Sequence, residues 1–235
     1  MAGTLYLVPN LLGIVPPEHV LPAKTIAIAR RLDYFVVENA KPARAFLKSL
    51  DPARSLRDIE IAEIGADSGA ERIAKLLAAA RAGRDVGLLS DAGCPGIADP
   101  GAPVVAAAHR ERIVVVPLVG PSSILLALMA SGMNGQGFTF HGYLPVKPPA
   151  RAEALRALEA GSHRTGHAQL FIETPYRNEA LLASIVATCE PSTRLCVAAD
   201  LTLTSESIES RAIADWRGRD FGRYAKRPAM FVLQA

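Results

Sequence analysis

The residues best suited to chemistry lie in the run Leu88–Gly101, LLSDAGCPGIADPG. An apolar segment, Val86-Gly87-Leu88-Leu89, leads into it with the character of a buried strand. Pro95 and Pro100 fix φ and remove donors, while Gly93, Gly96 and Gly101 permit φ > 0 and let a ligand approach the backbone closely. No helix can form across such a run. A loop of this kind at the carboxyl end of a parallel strand is where open α/β sheets bind ligands. The alternative for Ala92-Gly93-Cys94-Pro95 is a purely structural strand-to-helix turn. Covalent machinery is not visible. His19, His109, His141, His163 and His167 are scattered and read as surface or core histidines, and no Glu-x-x-His, His-x-His or Ser/His/Asp arrangement occurs. Cys94 could act as a thiol nucleophile, but no neighbouring base supports that role.

Four further segments make the loop part of a pattern: GTLYLVP at Gly3–Pro9, VGPSSILLALMASGM at Val119–Met133, FTFHGYLPVKPPAR at Phe138–Arg151 and FIETPYRN at Phe171–Asn178. Together, and in this order, they resemble the S-adenosylmethionine-dependent methyltransferases of the tetrapyrrole methylase superfamily. More narrowly they resemble the ribosomal RNA small subunit (cytidine-2'-O-)-methyltransferase branch. Its loop reads SDAG-T-P-x-I-x-DPG, and its other segments read PGPSA, F-x-F-x-G-F-L-P-x-K-x-x-x-R and Y-E-S-x-H-R.

The resemblance implies S-adenosylmethionine as cofactor and ribose 2'-O-methylation in rRNA processing as activity. Such transfer needs in-line alignment and exclusion of water more than covalent help, so the lack of a dyad is no objection. Catalytic residues remain unassigned. Cofactor positions carried over are Pro9, Asp91, Ala92, Gly93, Cys94, Ile97, Ser122 and Ser123, with Glu173, Thr174, Pro228 and Ala229 at the adenosine. Ser122 reads equally as a helix N-cap, and the last four as ordinary turns. Cys94 stands where the family has Thr, which puts that side-chain contact in doubt and leaves the backbone contacts untouched.

Departures fall on the acceptor side. The family's E-D-T-R reads Glu38-Asn39-Ala40-Lys41, and its R-E-L-T-K reads Ala199-Asp200-Leu201-Thr202-Leu203, followed by Glu206. The donor site is kept and the acceptor site is rewritten. Glu38, Lys147, Arg151, Tyr176 and Arg177 remain as substrate candidates, with Lys147 and Arg151 in a Pro-rich loop where a solvated surface pair is the competing reading.

Positioning these residues takes an α/β chain. Of 235 residues, 50% are hydrophobic and 21% charged, which gives a packed core and argues against disorder. The net charge of +3 is compatible with RNA contact without arguing for it. Cys94, Cys189 and Cys196 are odd in number and lack C-x-x-C spacing, so neither a disulfide framework nor a metal site is expected, and a cytoplasmic location is. Apolar runs are strand length, too short for a membrane span. The patterns predict strands at Leu5–Val8, Tyr34–Val37, Ile59–Ile64, Val86–Leu89 and Ile113–Val116. Helices are predicted at Pro22–Leu32, Pro42–Leu50, Ala70–Ala82 and Ala102–His109, the third opened by a Ser68/Glu71 capping box. That alternation makes residues 1–117 a mostly parallel α/β domain with helices on both faces.

Residues 118–235 form the second domain, with Pro117–Pro121 as junction and the cofactor in a cleft between the two. Helices are predicted at Ser123–Ala130, Arg151–Ala160 and Asn178–Cys189, and strands at Phe138–Tyr143 and Gln169–Ile172. Arg194–Ala199, Glu206–Ala212 and Met230–Gln234 read as an antiparallel meander, hence a mixed sheet. The resemblance further implies a homodimer. Alternatives kept open are a methyltransferase with a small-molecule acceptor and a catalytically silent cofactor- or RNA-binding module. A nicotinamide oxidoreductase is disfavoured because G-x-G-x-x-G is missing after the first strand.

Overall fold

The computed structural model describes residues 2–65 and 67–235 and divides into two compact units, Met1–Ser122 and Ser123–Ala235. In the first unit the strands are β1 (Thr4–Val8), β2 (Tyr34–Val37), β3 (Glu60–Glu63), β4 (Val86–Leu89) and β5 (Val114–Pro117). Every pairing in their sheet is parallel, in the order β3-β2-β4-β1-β5. Successive side chains leave opposite faces, so Leu5, Val36 and Leu88 join one core while Phe35, Val37 and Leu89 join another. Helices α1 (Ala23–Arg31) and α2 (Ala40–Ser49) supply Ala29, Phe46 and Leu47 to the second core. Ile73, Leu76, Ala80 and Val104, from α3 (Ala70–Leu76), α4 (Ala78–Arg81) and α5 (Ala102–Arg110), fill the first. Covering both faces is what a parallel sheet requires.

The helix predicted over Ala70–Ala82 is therefore two, broken at Leu77. Leu76 and Leu77 are both fully buried. Leu77 itself has φ −89° and ψ 0°, which interrupts the regular helical geometry between the two segments. The capping box does not form either. Gly69 is the N-cap, Ser68 Oγ accepts from the Gly65 amide at 3.0 Å, and Glu71 pairs with Lys75.

The second unit contains α6 (Ser123–Ser131), β6 (Phe138–Tyr143), α7 (Pro148–Thr165), β7 (Ala168–Glu173), α8 (Asn178–Thr188), β8 (Arg194–Ala199), β9 (Ser207–Ala212), α9 (Ile213–Trp216) and β10 (Ala229–Gln234). Its sheet is mixed as expected, with β6 parallel to β7 and the other pairs antiparallel. The order is β6-β7-β10-β8-β9, which corrects the meander. The last strand inserts between β7 and β8 because its Met-Phe-Val-Leu run is buried on both faces, whereas the alternating β9 can tolerate an edge.

Phe171, Val197, Phe231 and Trp216 build the core on one side of this sheet. Helix α7 is longer than its apolar pattern. Pro148 occupies the first turn, where a missing N–H costs nothing, and Gly166 closes the helix at φ 68°. Arg151, the first residue of the predicted helix, thus lies inside α7 and outside the Pro-rich loop also expected for it.

Candidate functional site

In the first unit three predicted segments converge beyond the carboxyl ends of β1 and β4. Pro9 ends β1, and the next residue, Asn10, is buried. Its amide donates to the Gly93 carbonyl at 2.9 Å, and its Nδ2 donates to the carbonyls of Ser90 and Asp91, both at 3.0 Å. Ser90 Oγ donates to the Ala92 carbonyl at 3.1 Å. Cys94 Sγ reaches the Pro121 carbonyl at 3.5 Å, and a Cβ placed on Gly120 would sit 2.3 Å from Pro9 Cγ. The turn is thereby held from both sides, with Gly93 at φ 67°. No described group accepts from the amides of Ala92 and Cys94.

Burial pushes the Cys94 thiol up, which argues against a nucleophilic thiolate. Ile97 is half exposed at 53%. Asn10 was missed by sequence reasoning, although a polar residue directly after a buried strand is a readable signal.

Asp99 was missed as well. Its carboxylate accepts from the Gly96 amide with both oxygens, each at 2.9 Å, and from the Gly101 amide at 2.7 Å, bracing Ala98 at φ 59°. Its signal was the D-P-G turn chemistry of Asp99-Pro100-Gly101. Across from it Glu38, just past β2, accepts from the Asp91 amide at 3.3 Å. An open hollow of about 470 Å³ is lined by Glu38, Ala98, Asp99, Pro100 and Pro103, within the size range of small-molecule sites. Burial raises the pKa of Glu38. The hydrogen bond from Asp91 opposes the shift, and the neighbouring charges of Asp91 and Asp99 reinforce it. Burial also raises Asp91 and Asp99.

In the second unit the structure brings Glu173, Thr174, Pro228 and Ala229 together. Ala229 is the cross-strand partner of both Glu173 and Ala199, and the Pro228 carbonyl accepts from the Asp200 amide at 2.9 Å. Glu173 Oε1 accepts from the Thr174 amide and from Arg177, each at 2.6 Å. Burial acts to raise the Glu173 pKa, but these hydrogen bonds and the Arg177 charge outweigh it and hold the pKa below its usual value. Glu173 Oε2 is buried without a partner, so one acceptor is left over.

Ser122 closes the first unit and Ser123 opens α6. Tyr176 is 83% exposed. Lys147, the N-cap of α7, is exposed, whereas Arg151 is only 5% exposed with its Nε unpartnered, so the solvated Lys147/Arg151 pair does not exist. Among the described residues no group of His, Cys, Asp or Glu could hold a metal ion, and no helix is long and apolar enough to cross a membrane.

A parallel sheet with a glycine-kinked loop at its carboxyl edge, followed by a mixed five-stranded sheet, defines an α/β ligand-binding architecture. The family model for Tetrapyrrole (Corrin/Porphyrin) Methylases matches residues 12–215. A curated relative, the ribosomal RNA small subunit methyltransferase I of Streptococcus pyogenes, is 32% identical over 214 residues, covering 91% of this chain and 70% of the relative. The crystal structure of the methyltransferase CobJ superposes with a TM-score of 0.64 at 17% identity, covering 99% of this chain and 94% of that one. A uroporphyrin-III C-methyl transferase from Thermus thermophilus, solved with S-adenyl homocysteine, gives 0.55 at 18% identity, covering 99% and 97%. The chain belongs to the tetrapyrrole methylases and is a methyltransferase dependent on S-adenosylmethionine.

The residues present fit that cofactor. In the first unit the space beside Gly93 is narrow, since a Cβ there would meet Leu12 Cδ2 at 3.3 Å and the Pro121 carbonyl at 3.6 Å. The unpaired Ala92 and Cys94 amides are donors of the kind a carboxylate needs. In the second unit Glu173 Oε2 is a spare acceptor. When bound, the cofactor supplies a sulfonium methyl group.

Proposed function

We propose that the protein methylates a ribose hydroxyl of small-subunit ribosomal RNA, with Asp91–Cys94, Pro9, Ile97 and Ser122 on the cofactor's methionine side. Ser123 joins Ser122 as a cofactor contact, and the Glu173-Thr174 and Pro228-Ala229 pairs serve the adenosine. The observation carrying the acceptor side is Glu38, whose carboxylate is tied to the cofactor loop through the Asp91 amide and also lines the adjoining hollow. A hydroxyl that attacks a methyl carbon must lose its proton. A carboxylate of raised pKa accepts one better than an ordinary surface carboxylate does. Support for ribosomal RNA comes from the curated relatives' names. The same reading places the protein in the cytoplasm as a homodimer, which exposed Leu125 and Met129 on α6 support. Sedimentation should then give twice the 24.9 kDa chain mass.

The test is transfer of labelled methyl groups to small ribosomal subunits from a strain lacking its own enzyme, at low and physiological salt. Calorimetry should show cofactor binding of order −8 kcal/mol, unchanged by a chelator. Transfer should be slow, because Ala199 and Leu203 stand where the family pattern has Arg and Lys, and the RNA binding that remains should still weaken as salt rises. Glu38→Gln keeps an acceptor for the Asp91 amide but cannot take a proton. It should lower kcat about 100-fold while cofactor affinity stays as it was. With Glu38 intact, the rate should fall as pH drops through its raised pKa, since the ionised form is the active one, and the variant should lose that acid limb. Cofactor binding without any transfer to ribosomal RNA would point instead to a small-molecule acceptor. No cofactor binding even at millimolar concentration would overturn the assignment of the loop.

A further inference from the structure

Half of the second unit's basic residues fall in one short segment. Arg211, Arg217, Arg219, Arg223, Lys226 and Arg227 stand between positions 211 and 227, against Asp215 and Asp220 as the only acids there. Three of these arginines converge on one carboxylate. Arg211 Nε lies 2.6 Å and Arg223 Nη1 3.3 Å from Glu209, and Arg219 also contacts it. Tyr224 donates its hydroxyl to the same carboxylate at 2.9 Å. One negative charge faces three positive ones, so the cluster keeps a surplus of positive charge whatever the pairing. Glu209 is nearly covered, whereas the side chains of Arg211, Arg219 and Arg223 are 42%, 35% and 50% exposed.

The guanidinium groups are also fixed in place. Arg219 lies over the Trp216 ring at 5.9 Å and Arg223 over the Tyr224 ring at 5.2 Å. Trp216 and Tyr224 are themselves core residues of the unit. Arginines anchored on aromatic faces lose less freedom on meeting an anion, and their planar forks match phosphate oxygens two at a time. Arg217 and Lys226 flank the cluster along the chain. Both are exposed, and neither has an ion-pair partner among the described residues.

We propose that this surface, centred on Arg211, Arg219 and Arg223 at the edge strand β9, binds the phosphate backbone of the RNA acceptor. The proposal rests on the ribosomal RNA reading and relocates its electrostatics. Lys147 and Arg151 cannot carry the affinity as a pair, because Arg151 is buried. The surplus charge of the β9–β10 connection takes that role. A lone structural ion pair would need one arginine at Glu209. Three, exposed and stacked, supply what a run of phosphates requires.

The test compares the wild-type protein, R211A/R219A/R223A and R217A/K226A, each binding small ribosomal subunits and a mixed-sequence single-stranded RNA over a range of salt. Cofactor binding by calorimetry reports whether each variant is folded. The triple variant should weaken RNA binding at least tenfold and reduce the slope of log K against log salt by about two units, near 0.7 for each single-strand phosphate no longer neutralised. Cofactor affinity should not change. R217A/K226A removes no ion pair, so it keeps the proposal testable even where the triple variant fails to fold, and its slope should fall by about 1.4 units. Wild-type affinity and slope in R217A/K226A, or in a folded triple variant, with wild-type transfer to ribosomal RNA intact, would overturn the surface while leaving the acceptor reading standing. Weaker binding with an unchanged slope would overturn it too, as a structural effect. A wild-type protein that neither binds nor methylates RNA would overturn the acceptor reading and this surface with it.

Discussion

Gly93→Val is expected to reduce S-adenosylmethionine affinity by at least ~100-fold, equivalent to about 2.7 kcal/mol. Two effects act together. Gly93 sits at φ 67°, where a β-branched residue is strongly disfavoured. A Cβ would already press on Leu12 Cδ2 at 3.3 Å, so the branched methyls would enter the space beside the unpaired Ala92 and Cys94 amides. Strain alone would cost stability, on the order of 1–2 kcal/mol. Gly166→Val separates the effects. Gly166 has φ 68° with nothing within 4 Å of its would-be Cβ, and it caps α7 in the second unit. That variant should lose comparable stability and keep its cofactor affinity. Calorimetric titration with thermal melts of both variants checks the pair. Equal losses of affinity would mean that the loop matters only as a fold element.

The strands were legible because their signal is short-range. Tyr34–Val37 and Val86–Leu89 are continuous apolar runs, and the structure buries every residue of both. The order of the second sheet was equally present in the sequence, since an unbroken Met-Phe-Val-Leu run belongs inside a sheet and an alternating Ser-Ile-Glu-Ser-Arg belongs at its edge. A meander reads only chain order and ignores that difference. The break at Leu77 was not legible, because no glycine or proline marks it between Ala70 and Ala82. Arg151 misled for the opposite reason. Two prolines beside it suggested a loop, yet at a helix start prolines are harmless, and the helix turned the arginine inward.

For the candidate site, the glycine and proline pattern singled out Gly93 and the family resemblance singled out Glu173 and Ala229, which the structure makes cross-strand partners. Neither singled out Asn10 and Asp99, which hold the loop by bonding backbone groups of other segments. Such roles leave no periodic trace. The Arg211–Lys226 cluster was hidden by a net charge of only +3, since an average over 235 residues says nothing about where the charge is concentrated.

Arg227→Ala should have the largest effect on stability. Arg227 Nε donates to Asp200 Oδ2 at 2.7 Å, while its Nη2 and Nη1 donate to the carbonyls of Ser205 at 2.5 Å and Arg223 at 3.2 Å. Asp200 is also bonded by Ser205 Oγ at 2.8 Å, and its side chain is 9% exposed. Asp200 and Thr202 both stand at positive φ, 52° and 74°, so the Asp200–Glu206 turn is strained and depends on this clamp. Removing one partner of a buried pair leaves the other charge uncompensated, which typically costs about 3–5 kcal/mol. The lower end fits here, because Ser205 still satisfies one carboxylate oxygen, and a melting temperature lowered on the order of 10 °C follows. The same turn replaces the family's R-E-L-T-K segment. At temperatures where the variant remains folded, transfer to ribosomal RNA should therefore fall while cofactor binding persists. Asp200→Asn with Arg227 retained should be milder, since the amide oxygen can still accept from the guanidinium. Thermal melts and methyl-transfer rates for the two variants decide it. If Arg227→Ala melts like the wild type, the clamp is an exposed pair of little consequence, and the turn must draw its shape from elsewhere.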